Sequence, residues 1–101
     1  NGTSITVVRD GEGRIAGMAT LCVCHMPTGC KAWIEDVVVD GACRGQGYGR
    51  RLVEKLVEEA RRLGASSVNL TSRPEREAAN ALYRSIGFVQ RSTNVYRLSL
   101  H

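Results

Sequence analysis

The chain has 101 residues, of which 43% are hydrophobic and 24% charged, a size and balance that fit one globular domain spanning 1–101 and exclude a disordered tract. No apolar run approaches the roughly 20 residues that cross a bilayer, and no secretory leader is visible, so neither a membrane nor an export role is expected. The net charge of +4 favours an anionic partner, but one Phe, one Trp and three Tyr leave little for base stacking, so nucleic acid is not expected.

Ser4-Ile5-Thr6-Val7-Val8-Arg9 is rich in β-formers, Asp10-Gly11-Glu12-Gly13 is a turn, and Arg14 to Cys24 resumes as a strand with Ile15, Leu21 and Val23 on one face. Met26-Pro27-Thr28-Gly29 breaks it, and Lys31 to Val39 follows as a third strand whose apolar end, Val37-Val38-Val39, suits burial on both faces at the sheet centre. From Tyr48 the period becomes helical, with Leu52, Val53, Leu56, Val57, Ala60 and Leu63 on one stripe and Gly64 as the stop. The remaining face is charged and solvated, with pairs such as Lys55 to Glu59. Ser66 to Thr71 reads as a short strand. Ser72-Arg73-Pro74-Glu75 has the shape of a capping box, opening a second helix with Ala78, Leu82 and Ile86 as its core stripe and Gly87 as its end. Phe88 to Gln90 and Asn94 to Leu100 complete the expected order β-β-β-α-β-α-β-β, a mixed α/β sheet with strand–helix–strand crossovers beside an antiparallel hairpin.

Cys22, Cys24, Cys30 and Cys43 show no C-x-x-C spacing and no accompanying pair of histidines, which argues against a metal site. Cys22 and Cys24 share one strand face, where reduced cysteine acts as a small apolar residue, so free thiols in a cytoplasmic protein are expected.

The stretch carrying chemistry joins the third strand to the first helix: Cys43-Arg44-Gly45-Gln46-Gly47-Tyr48-Gly49-Arg50-Arg51. Its glycines turn without a Cβ penalty and let backbone N–H groups converge on an anion, toward which the helix also directs its positive end. A dinucleotide fingerprint begun at Gly45 would need glycine where Arg50 stands, and no Lys-Ser or Lys-Thr follows as in a Walker loop.

The remaining pattern, Arg44-x-x-Gly47-x-Gly49, resembles the coenzyme A pyrophosphate loop of the GNAT superfamily of acyl-CoA-dependent N-acetyltransferases. Downstream, Asn80-Ala81-Leu82-Tyr83-Arg84-Ser85-Ile86-Gly87-Phe88 resembles that family's N-x-x-x-Y-x-x-x-G-F signature, and the resemblance runs over roughly residues 14 to 100. It implies acetyl-CoA as co-substrate, held by Arg44, Gly45, Gln46, Gly47, Tyr48, Gly49 and Arg50, by the strand backbone of Val37, Val38 and Val39, and by Asn80. It further implies Tyr83 as proton donor to the departing sulfur and Glu35 as the base that deprotonates an acceptor amine, often through water. The residues alone leave Tyr83 open as an amphipathic cap on the core and Glu35 as a surface acid. Asp36 points to the face opposite Glu35 by period two unless a bulge intervenes. Family members usually open with a strand and two helices on the acceptor side, whereas this sequence begins in what resembles the second strand. Acetyl transfer to an unspecified amine, and a homodimer, are the expectations. A CoA-binding regulatory domain without activity would share every motif.

Overall fold

The computed structural model describes residues 2–101. Its elements are β1 (Gly2–Arg9), β2 (Ile15–Met26), β3 (Gly29–Val39), a 3₁₀ turn (Gly41–Cys43), α1 (Tyr48–Arg62), β4 (Ser67–Asn69) and α2 (Glu77–Ile86). The strands form one sheet in the order β1-β2-β3-β4, antiparallel except for the parallel pair β3 and β4. This is the expected α/β architecture of mixed sheet and crossover helices.

Local chemistry sets both tight turns. Between β1 and β2, Asp10 Oδ1 accepts the N–H groups of Glu12 at 2.9 Å and Arg14 at 3.0 Å. The charge-assisted contacts hold its carboxyl below the usual range, the Arg14 N–H being the largest cause. Pro27 and Thr28 make the two-residue link from β2 to β3, with Met26 facing Gly29.

The core lies on one sheet face, where Ala19, Leu21, Val23, Ala32 and Ile34 meet Leu52, Val53, Leu56 and Ala60 of α1 and Tyr83 of α2. Gly17 permits this approach, because a Cβ there would stand 2.8 Å from the Val38 carbonyl oxygen and 3.0 Å from Leu52 Cδ1. The opposite face is open among the described residues. Val7, Met18 and Val38 form an exposed cross-strand row upon it.

Several expectations are corrected. Ile15 is 53% exposed, because β2 carries an extra residue where Val8 faces Gly17 but Arg9 faces Ile15, and that bulge moves Ile15 out of phase with Leu21 and Val23. Val38 is likewise exposed, since helices cover only one face of the strand. Glu59 pairs with Arg62 rather than Lys55, and the Arg62 guanidinium lowers the carboxyl's pKa. No capping box forms. Residues 73–76 instead close a turn through Arg76 N–H to Arg73 O at 3.1 Å, α2 begins at Glu77, and the Ser72 hydroxyl is buried without a partner among the described residues. On α2, Tyr83 is buried and Ala79, Leu82 and Ile86 are half-buried, while Ala78 is exposed.

The two C-terminal strands are not formed either. Phe88 packs on Tyr83, with ring centroids 6.0 Å apart and planes at 66°, but residues 89–101 carry no strand pairing and are all exposed. A strand is stable only with a ladder partner, and this segment pairs with none of the described residues.

Candidate active site

The site arises where the parallel pair comes apart. β3 and β4 are paired only from Lys31 to Trp33 and from Ser67 to Asn69. Beyond Trp33 the strand is diverted, because Met18 faces Val38 while Thr20 faces Glu35, three steps on β3 against two on β2. The extra residue lies at Asp36–Val37, and Asp36 has φ 55, the single non-glycine positive φ among the described residues. Asp tolerates this left-handed conformation better than most side chains.

The bulge interrupts the strict alternation of Glu35 and Asp36. Both residues, with Ile34 and Val37, line one wall of a cavity of about 190 Å³. Leu70 and Thr71, just after β4, and Arg76 and Tyr83 complete it. Tyr83 is 7% exposed, so its ring belongs to the core as the amphipathic reading expects, yet the same side chain lines the cavity as the proton-donor reading requires. The Arg76 guanidinium makes no ion pair or hydrogen bond with the described residues although two carboxylates share its cavity. Leu70, Thr71 and Arg76 carry no motif in the sequence. Asp36 was legible only on condition of the bulge. A larger depression of about 360 Å³, on the outer face of α1, is walled by Lys55, Glu58, Glu59, Arg61 and Arg62 and takes in none of the residues singled out for chemistry.

The glycine loop leads from the 3₁₀ turn into α1. Gly45 and Gly47 take φ of 81 and 80, and an added Cβ at either meets nothing within 4 Å, so the space above the loop is open. Gly47 is the N-cap and offers no side-chain acceptor. The N–H groups of Tyr48, Gly49 and Arg50 therefore face outward, available to an anion. Gly49 sits where a Cβ would lie 3.5 Å from Leu82 Cδ2 and 3.8 Å from Val39 Cγ2, which ties the loop to β3 and α2. Arg44 and Gln46 are exposed. Arg51 lies over the Tyr48 ring at 5.7 Å, and Arg50 is held by the Ser85 hydroxyl and, at 3.6 Å, by Glu54. Arg50 therefore ties α1 to α2 besides adding positive charge near the loop. Asn80 donates its amide N–H to Arg73 O at 3.0 Å, fastening the turn before α2. Its side-chain oxygen accepts no hydrogen bond from the described residues.

The gap lies at the carboxyl ends of a parallel strand pair, the place where open α/β sheets take their ligands. The chain belongs to the acetyltransferase (GNAT) family, whose sequence profile matches residues 1–88. Over 62 residues it is 42% identical to glucosamine 6-phosphate N-acetyltransferase 1 of Oryza sativa subsp. japonica, a match covering 61% of this chain and 36% of that protein. Over 107 residues it is 32% identical to glucosamine 6-phosphate N-acetyltransferase of Trypanosoma brucei brucei, covering 87% of this chain and 70% of that one. The crystal structure of a Trypanosoma brucei acetyltransferase superposes with a TM-score of 0.84 at 33% identity, over 98% of this chain and 70% of that chain. The chain thus matches about a third of the rice relative's length and 70% of the trypanosome proteins.

Proposed function

We propose that this domain binds acetyl-CoA in the gap between β3 and β4 and transfers its acetyl group directly to a primary amine. The observation that carries the reading is the cavity whose lining brings Glu35 and Asp36 of the β3 bulge together with Tyr83. The loop suits a pyrophosphate by its open space, its outward N–H groups and its exposed Arg44. Acetyl-CoA supplies an activated acyl carbon as a thioester. Glu35 and Asp36 are the groups able to take the proton of an incoming ammonium, directly or through water, and the Tyr83 hydroxyl is the group able to return a proton to the departing sulfur. As the C–N bond forms and the C–S bond breaks, one proton leaves the amine and one reaches the thiolate.

Relatives named for glucosamine 6-phosphate put that amine first in an acceptor panel, and the unpaired Arg76 is the cavity group able to hold a phosphate. Four free thiols fit a reducing compartment such as the cytoplasm.

The test is thermal melting with CoA, followed by release of free thiol from acetyl-CoA across amine acceptors. CoA at a hundredfold excess over its dissociation constant stabilises the fold by about 2.7 kcal/mol. Gly47→Val removes that gain, because valine at φ 80 is strained and reshapes the loop. A melting point indifferent to millimolar CoA overturns the reading, and binding without turnover on any amine reduces it to a CoA-binding domain.

A further inference from the structure

The cavity wall that faces β3 has no β-ladder to hold it. β4 ends at Asn69, Leu70 and Thr71 follow it, and Arg76 stands immediately before α2. Backbone of this kind keeps one shape only where turns and side chains satisfy its polar groups.

Here those bonds converge on one carbonyl. Arg73 O accepts the Arg76 N–H at 3.1 Å, closing a β-turn with Pro74 and Glu75 at its centre, and the same oxygen accepts the Asn80 side-chain N–H at 3.0 Å. Pro74 pre-sets its own φ but has no N–H to give. The Asn80 backbone N–H reaches the Arg76 carbonyl at 2.9 Å, the first bond of α2. Asn80 therefore grips both ends of the turn, by its amide at Arg73 and by its main chain at Arg76. The neighbouring side chains do not share the task. Arg76, the N-cap, makes no side-chain cap bond, and the Ser72 hydroxyl is buried without a partner among the described residues. The direction of the amide is fixed by the carbonyl it meets, because the reverse placement would set two oxygens against each other.

Asn80 does not line the cavity itself. It stands between two residues that do, four after Arg76 and three before Tyr83. We infer that Asn80 is a positioning residue, whose amide holds the Arg73–Arg76 turn and thereby keeps Arg76 and Thr71 at a fixed span from Glu35 and Asp36 across the cavity. The kinetic consequence rests on the proposed acetyl transfer, whereas the structural one rests on the hydrogen bonds alone.

Amide hydrogen exchange and steady-state kinetics on the intact protein test it, with Asn80→Asp and Asn80→Ala. Aspartate keeps the size but cannot donate as a carboxylate, and an acid near the start of α2 suits the helix's positive end, so the helix is kept while the grip is lost. Alanine removes the amide without adding charge. In both variants the Arg76 amide should exchange about five- to tenfold faster, the effect of one lost hydrogen bond, while the amides from Leu82 to Ile86 keep their protection. The KM of the amine that the acceptor panel selects, with glucosamine 6-phosphate tried first, should rise about tenfold with kcat within a few-fold. Unchanged exchange at Arg76 in both variants overturns the inference. Loss of protection throughout α2 in both overturns it as well, since Asn80 would then hold the helix and not the wall. Faster exchange with an unaltered KM removes the positioning role. A wild type that releases no thiol from acetyl-CoA with any amine counts against the proposed reaction, and exchange at Arg76 then decides the grip by itself.

Discussion

The two halves of β3 serve opposite ends. From Lys31 to Trp33 the strand is held by β2 on one side and β4 on the other, and Ala32 and Ile34 are buried beneath α1. From Glu35 onward it has lost β4, bends at Asp36, and lines a cavity with Glu35, Asp36 and Val37. A single strand thus supplies stability where it is paired on both edges and, in the proposed function, the catalytic groups where one edge is released. The loss of β-ladder is what opens the cavity.

The largest effect should come from breaking the paired half. Leu21 is fully buried directly opposite Ile34, and Leu21→Ala removes about 2–5 kcal/mol, a large part of the about 5–15 kcal/mol that holds a domain together. Urea denaturation measures it, and CoA affinity well below the melting point should be unchanged. A comparable loss of affinity would mean that the two halves are not separable.

Tyr83→Phe should be the converse. Phenylalanine keeps the ring packed on Phe88 and removes the hydroxyl, so turnover falls about a hundredfold, equivalent to about 2.7 kcal/mol on the barrier, while CoA binding stays within a few-fold. Near-wild-type turnover with a good amine acceptor would leave Tyr83 as a core residue only.

The bulge between the halves can be addressed directly. Asp36→Val places a β-branched side chain at φ 55 and should cost about 1–2 kcal/mol, whereas Asp36→Gly, free of that strain, should stay close to wild type. Equal stability of the two variants would show that backbone strain at Asp36 does not fix the bend.

The paired half was legible in the sequence and the released half only in part, for a physical reason. Turns and helix stripes are written in neighbouring residues: Asp10-Gly11-Glu12-Gly13, Pro27-Thr28, and Tyr48 to Arg62 read directly. Register is a property of two strands together, so neither the bulge that exposes Ile15 nor the one at Asp36 could be fixed from one of them. The cavity's far wall, Leu70, Thr71 and Arg76, is assembled by the chain's return and leaves no spacing signal. Ser72 is not a cap because its hydroxyl is buried, and the strand pattern of residues 94–100 is local while pairing, which it lacks among the described residues, is not.

The smallest effect belongs to Asp10, in the β1–β2 turn away from both halves of β3, and it serves as the control. Its carboxyl accepts the Arg14 and Glu12 N–H groups and faces the Arg14 guanidinium at 3.5 Å, which lowers its pKa in the folded state. A lowered folded value means that the carboxylate's stabilisation is fully present above the unfolded pKa and drains away as pH falls through the folded one. Because the turn lies at the surface, with the Asp10 side chain still 18% exposed, solvent screens part of the gain. Asp10→Asn should therefore lower the melting point slightly at neutral pH and converge on wild type in strong acid. Turnover and CoA affinity should match wild type at every pH, since the turn touches no cavity residue. If this variant impaired turnover as Tyr83→Phe is expected to, general loosening of the sheet, and not the chemistry of the released half, would account for both.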